Sequence, residues 1–190
     1  MTMNIVQIGT NKGNDELTKT LNQSQPSILI LIEPIAIHND SILNCYKDIK
    51  NIHIENVAIT TNKNIKSIDF YLHPADAPCY EIATDNPDHL IKHGMNPGDA
   101  IKINVKTTTI NDIFKKYSLN HVDILFIDAE GADDKIIKDI DYNATSIDKI
   151  FFENLHLPDL SVYDFLLSKN YKITKNIGDK GWNSIAEKLS

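Results

Sequence analysis

Residues 28–32 read ILILI, five apolar positions with none left to face water. A strand with one wet face alternates apolar and polar residues, so a run without alternation belongs to a strand covered on both faces. Runs of similar character recur at 4–8, 122–127 and 147–153. Each is followed by a stretch with helical spacing: Leu17 and Leu21 at i and i+4, then 41–49, 131–140 and 161–169. Asn14 is placed to cap the first of these helices, with Asp15 and Glu16 in its first turn, where negative charge suits the helix dipole. Strands alternating with helices imply an α/β fold whose central sheet is mostly parallel, with helices on both faces.

Other segments fill in this outline. Strands are expected at 52–59, 67–72 and 101–105, and a helix opens at Thr109-Ile110-Asn111-Asp112, a capping-box pattern with Asp in place of Glu. Residues 171–188 read as a C-terminal antiparallel hairpin turning around Gly178 and Gly181. The segment 73–98 holds four prolines, Pro74, Pro78, Pro87 and Pro97, and reads mainly as loop. Long loops inside compact domains are usually functional or mobile, which makes 73–98 a candidate insertion at an acceptor site.

At 190 residues and 42% apolar content, the chain is expected to form one domain over 1–190 with a sizeable core. No run approaches the roughly 18 apolar residues of a membrane span, and no signal-peptide pattern opens the chain. The two cysteines, Cys45 and Cys79, have neither metal spacing nor a disulfide framework. A cytoplasmic setting without membrane association is expected. The net charge of −7 and the scattered basic residues argue against binding a phosphate backbone, so no nucleic-acid partner is expected.

In parallel α/β sheets, ligands bind at the carboxyl ends of the strands. The first strand ends in Gly9-Thr10-Asn11-Lys12-Gly13, and the second in Glu33-Pro34. Asp128, Glu130 and Gly131 follow the 122–127 run, and Glu153, Asn154 and His156 follow the 147–153 run. Glu33 lies 20 residues past Gly13, where a carboxylate can accept both hydroxyls of a ribose. The glycine loop lacks the middle glycine of G-x-G-x-x-G, which disfavours a dinucleotide, and it is not a P-loop, which disfavours a nucleoside triphosphate. A nucleoside ligand without phosphates fits, and S-adenosylmethionine is such a molecule.

These residues resemble the FkbM-type methyltransferases, a branch of the class I S-adenosylmethionine-dependent enzymes. The resemblance rests on VQIGTNKG at 6–13, LIEP at 31–34, ENVAIT at 55–60, TTTINDIF at 107–114 and VDILFIDAEGAD at 122–133. It implies a Rossmann-like methyltransferase fold and S-adenosylmethionine as cofactor. It places Gly9, Asn11 and Gly13 along the methionine part, Glu33 on the ribose, and Asp128 facing the transferred methyl group. Gln7, Thr10, Pro34 and Ala58 complete the implied cofactor-binding set. Gln7 departs from the family pattern, since an acidic residue is usual there and an amide offers no charge to the cofactor's ammonium. The first strand begins near Asn4, so an N-terminal lid is expected to be missing, leaving the acceptor pocket to be completed by 73–98 or a partner.

Methyl transfer to an alcohol requires loss of the hydroxyl proton, by way of a base or a metal ion. Asp128, Glu130, Glu153 and His156 are the candidates, with Asp128 and His156 as the catalytic pair. Asp128, Glu153 and His156 form a candidate ligand set for a hard ion, which adds Mg²⁺ as a further candidate cofactor. The plainer alternatives stay open: Glu130 capping the next helix, Glu153 bonding loop backbone, His156 at the surface. His73, His89, His93, Cys79 and Tyr80 are candidates to line the acceptor pocket, while Tyr171 and Trp182 are read as packing residues of the terminal hairpin. The function expected is O-methylation of a small-molecule or sugar hydroxyl, with a homo-oligomer left open. The alternatives are a cofactor-binding module that acts through a partner protein without catalysis and, more weakly, a nicotinamide oxidoreductase.

Overall fold

The computed structural model describes residues 3–14, 16–21, 25–178 and 180–189, so Asp15 in the first helical turn lies outside the described residues. In chain order the elements are β1 (Asn4–Ile8), α1 (Glu16–Leu21), β2 (Ile28–Ile32), α2 (Asn39–Cys45), β3 (Ile52–Glu55), β4 (Ala58–Ile59), β5 (Ser67–Leu72) and α3 (Pro87–Lys92). They continue with β6 (Ile101–Thr108), α4 (Ile110–Lys116), β7 (His121–Ile127), α5 (Asp133–Asp139), β8 (Ser146–Glu153), α6 (Ser161–Ser168), β9 (Tyr171–Ile177) and β10 (Asn183–Lys188). Seven strands form the central sheet in the order β3-β2-β1-β7-β8-β10-β9. The neighbours from β3 to β8 run parallel, and β10 is antiparallel to both β8 and β9. The fold is thus the Rossmann-like α/β arrangement expected, down to the terminal hairpin.

The unalternating apolar runs are explained by the two cores. On β1 and β2, Ile5, Leu29 and Leu31 pack with Leu17, Leu21, Ile42 and Tyr46, on the α1–α2 side. The intervening Val6, Ile8, Ile30 and Ile32 pack with Ile110, Ile113 and Phe114 of α4, Ile136 and Ile137 of α5, and Val162, Tyr163 and Leu166 of α6. Successive side chains of a strand point to opposite faces, so a strand between two helical layers must be apolar throughout. Among the described residues no helix is long and apolar enough to cross a membrane.

Two segments depart from expectation. The strand expected over 52–59 is two strands in different sheets: β3 joins the central sheet, whereas β4 joins a second sheet in the order β4-β6-β5. The break falls at Asn56, whose Nδ2 donates to the Glu33 carbonyl (2.9 Å) and to Asn39 Oδ1 (2.9 Å), anchoring the end of β2. The proline-rich stretch 73–98 is not all loop, because α3 forms within it, with Pro87 in its first turn. Asn86 caps that helix through a side-chain oxygen accepting from the Asp88 amide.

Candidate active site

The strand order sets β2, β1, β7 and β8 side by side, so the four polar carboxyl ends meet along one edge. A cleft of about 1290 Å³ opens there. Gln7, Gly9, Thr10, Asn11, Glu33 and Pro34 line its β1–β2 side, together with Ala58. Asp128, Glu130, Glu153 and His156 line the β7–β8 side.

The strand ends are pressed together. The Asp128 amide donates to the Ile8 carbonyl (3.0 Å), and the Gly9 amide donates to the Ile32 carbonyl (3.0 Å). Gly9 has a φ of +79°, and a Cβ at that position would stand 1.8 Å from the Asp128 carbonyl oxygen. Gly13, expected on the cofactor wall, is not among the cleft residues. It lets the loop close on α2, where a Cβ would meet Ile42, Tyr46 and Cys45 at 3.2–3.3 Å.

Glu33 is 4% exposed, and both of its oxygens are oriented by backbone: Oε2 accepts from the Asn11 amide (2.7 Å) and Oε1 from the Ile35 amide (2.9 Å). Burial raises its pKa to about 6, against the opposing pull of those two bonds. Each oxygen keeps a further lone pair, since an ionised carboxylate has about four acceptor sites. Gln7 points to the same face of β1 as Ile5, is 5% exposed, and accepts from the Tyr46 hydroxyl (3.4 Å) through Oε1. Thr10 Oγ1 is buried without a hydrogen-bond partner.

The segment 73–98 forms a further wall. Tyr80, Thr84, Pro87 and His89 reach the cleft, and Asn11 Nδ2 donates to the Cys79 carbonyl (3.1 Å) while Lys12 Nζ lies 3.0 Å from Cys79 Sγ. His73 instead caps a short turn, its Nδ1 accepting from the Ala75 amide (3.1 Å). Trp182, read as hairpin packing, stands on the cleft rim at 41% exposure, whereas Tyr171 is buried and donates to the Ile147 carbonyl (2.7 Å) as a packing residue.

The β7–β8 end is dense in carboxyls. Asp133 ties the two loops together: Oδ2 accepts from the Ala129 amide and Oδ1 from the Glu153 amide, both at 3.3 Å. Burial, then Asp128 and Glu153, push its carboxyl well above the usual range. Burial and the charge of Asp128 raise Glu153 to about 7, and its Oε2 has no hydrogen-bond partner. Glu130 does not cap α5 but sits among the imidazoles, its Oε2 3.3 Å from His89 Nε2 and 3.8 Å from His156 Nε2. Burial, followed by Asp128, Glu153, Asp133 and Asp76, raises Glu130 to about 8. Burial lowers His89 and His156, so the Glu130 contacts are not ordinary salt bridges: each partner is pushed towards its neutral form.

The donor set foreseen for a hard ion does not assemble as expected. Glu130, Glu153 and His156 bring their ligand atoms within 4.8 Å of one another, and Asp128 is not in that group. A second group, His89, His93 and His156, was missed as a unit in the sequence, although His89 and His93 stand at the i, i+4 spacing that shares a helix face.

The sequence model of the methyltransferase FkbM domain matches residues 7–173. The chain belongs to the FkbM methyltransferase family. Solved structures carry the same fold. The FkbM methyltransferase from Methylobacillus flagellatus KT superposes with a TM-score of 0.60 at 14% identity, covering 98% of this chain and 43% of that one. An O-methyltransferase from Bacillus cereus in complex with SAH gives 0.51 at 13% identity, covering 97% and 74%. The O-methyltransferase TomG from Streptomyces achromogenes, in complex with SAM, gives 0.50 at 13% identity, covering 98% and 73%. No curated protein matches the chain by sequence. This FkbM domain therefore spans less than half of the Methylobacillus chain, and at these identities the likeness is one of fold.

Proposed function

We propose that this FkbM domain binds S-adenosylmethionine in the cleft and transfers its methyl group to a hydroxyl of a small molecule or sugar. The observation that carries the reading is Glu33, a buried carboxylate held by two backbone amides at the cleft wall beside the glycine loop. The residues present fit the cofactor. Glu33 has acceptor capacity left for two ribose hydroxyls, Thr10 Oγ1 is a buried polar atom without a partner, and Ile35, Val57 and Ile59 give an apolar wall for a base. The complexes of two structural neighbours with SAH and SAM support the same assignment.

When bound, the cofactor would supply an electrophilic methyl carbon: an acceptor oxygen would bond to it in line through its own lone pair, while the C–S bonding pair stays on sulfur and leaves S-adenosylhomocysteine. Gly9, Asn11, Gln7 and Pro34 would position it, and Ala58 leaves room beside the apolar wall. Gln7 would bond the ammonium by its amide oxygen, without charge assistance. Asp128 would face the transferred methyl group. His156, at the end of β8, would take the acceptor's hydroxyl proton. Positioning of this kind is where such enzymes gain most of their rate, since a bound near-attack geometry is worth several kcal/mol. The exposed Trp182 on the rim would offer a flat apolar face to a ring-shaped acceptor.

Calorimetric titration with S-adenosylmethionine and S-adenosylhomocysteine tests the assignment. Both should bind, and Glu33→Ala should weaken each by about 10- to 100-fold, the loss of hydrogen bonds to a charged acceptor. Binding of neither molecule overturns the reading. Binding without methylation of any member of a hydroxyl acceptor panel would leave a cofactor-binding module in its place.

A further inference from the structure

Three imidazoles converge where 73–98 meets the end of β8. Ring centroids are 4.8 Å apart for His89–His93, 5.2 Å for His89–His156 and 6.3 Å for His93–His156. One ligand nitrogen from each lies within 4.8 Å of the other two. His89 is 6% exposed, and its buried Nε2 makes no well-aligned hydrogen bond, the nearby acceptor being Glu130 Oε2 at 3.3 Å. Glu130 Oε2 adjoins two of the three rings.

We propose that His89, His93 and His156 form a binding site for a divalent transition metal of the zinc class, with the Glu130 carboxyl beside His89 and His156. Three imidazole ligands suit zinc, cobalt or nickel and not magnesium, which takes oxygen ligands. Nitrogens bound to such an ion at about 2.0–2.1 Å stand roughly 3.4 Å apart, so the site closes with side-chain rotations of about 1 Å. The surrounding charges favour a cation: Asp128, Glu153, Asp133 and Asp76 act on Glu130, against Lys92 acting on His89 and His156. An ion there would satisfy His89 Nε2 and relieve the carboxyl crowding together.

The site also has a mechanical meaning. His89 lies on α3 and His93 is its C-cap residue, both within 73–98, whereas His156 lies beyond β8. A shared ion would therefore clip one cleft wall to another. The site itself stands on the three imidazoles; it touches the proposed function only through His156, which is a free base in the metal-free chain and a ligand in the metal-loaded one, so that ion binding would suppress its role as a base.

The test uses the full chain, stripped with a chelator and titrated with Co²⁺, whose visible d–d absorption reports coordination. The expected result is one equivalent bound with a tetrahedral or five-coordinate spectrum, displaced by Zn²⁺ and not by millimolar Mg²⁺. His93→Ala removes an exposed ligand without opening the core, and His156→Ala removes the ligand from the other wall. Each should weaken Co²⁺ binding by about 100-fold or more, since even outer-shell losses cost 10- to 100-fold. Absence of a Co²⁺ spectrum, or unchanged affinity in both variants, overturns the proposal. So does displacement by Mg²⁺, which would assign the ion to the oxygens of Glu130 and Glu153. S-adenosylhomocysteine titration of the same stripped chain keeps the two readings apart, because cofactor binding without Co²⁺ binding removes only the metal site.

Discussion

At the residue scale, Glu33 joins the fold to the proposed function. Burial makes its charge unfavourable, so it ionises only near pH 6, whereas ribose hydroxyls donate best to the ionised form. The two effects have opposite signs. Because the folded-state pKa is raised, the stability Glu33 contributes is present below its ordinary value of 4.5 and is lost as the pH climbs through about 6. On the proposed ribose contact, cofactor affinity should move the other way: flat above about pH 7 and falling below about 6, by up to tenfold per unit. Calorimetric titration of S-adenosylhomocysteine between about pH 5 and 8 checks this, with Glu33→Ala as the control that loses this component of the slope. Gly9 is constrained by crowding. Alanine there would set its Cβ 1.8 Å from the Asp128 carbonyl oxygen at a φ of +79°. Gly9→Ala should cost more than about 4 kcal/mol, enough to abolish folding or leave a marginal chain. Gly13→Ala, with its nearest neighbours at 3.2 Å, should cost about 1–3 kcal/mol. Urea unfolding of the two variants side by side gives the comparison.

At the element scale, local chemistry decided what could be read in advance. Thr109 caps α4 as its sequence suggests, its side-chain oxygen accepting from the Asp112 amide and its hydroxyl donating to Asp112 Oδ2 (2.8 Å). Thr109→Ala should destabilise the chain by about 1 kcal/mol, lowering the urea midpoint with an unchanged slope. The strands of the central sheet were legible because burial on both faces leaves a mark at every position. The split of 52–59 was not, because nothing local distinguishes Asn56 from any other polar residue; its bonds to Glu33 and Asn39 come from elsewhere in the chain. α3 carried a readable signal in Asn86-Pro87, a cap followed by a proline at the first helical position, which the surrounding prolines obscured. Gly13 fits a cofactor loop by spacing alone, yet the crowding at α2 explains why glycine stands there.

At the scale of the molecule, the site is assembled from pieces the chain keeps far apart. Spacing placed the carboxyl ends, but Trp182 on the rim depends on where the β9–β10 turn meets the end of β8, the Asn154 amide donating to the Trp182 carbonyl (2.7 Å). The convergence of His89, His93 and His156 depends on how 73–98 folds back over the sheet. That segment links β5 to β6, whose positions are mostly exposed or half-buried, Leu72 and Val105 being buried, whereas most of β1 and β2 is inaccessible. Regions with few buried apolar contacts open at lower free energy than the core. Amides of β5, β6 and 73–98 should therefore exchange with solvent faster than those of β1, β2 and β7. The segment is also tied to the glycine loop, through Asn11 and Lys12 at Cys79. If opening it undoes the cofactor site, ligand at a hundredfold excess over its Kd adds about 2.7 kcal/mol to that opening. Exchange across 73–98 should then slow by about 100-fold when S-adenosylhomocysteine is added. Hydrogen exchange read by mass spectrometry on peptides from this segment makes the measurement. Slowing confined to the glycine loop, with 73–98 unchanged, would show that the segment opens without disturbing the cofactor.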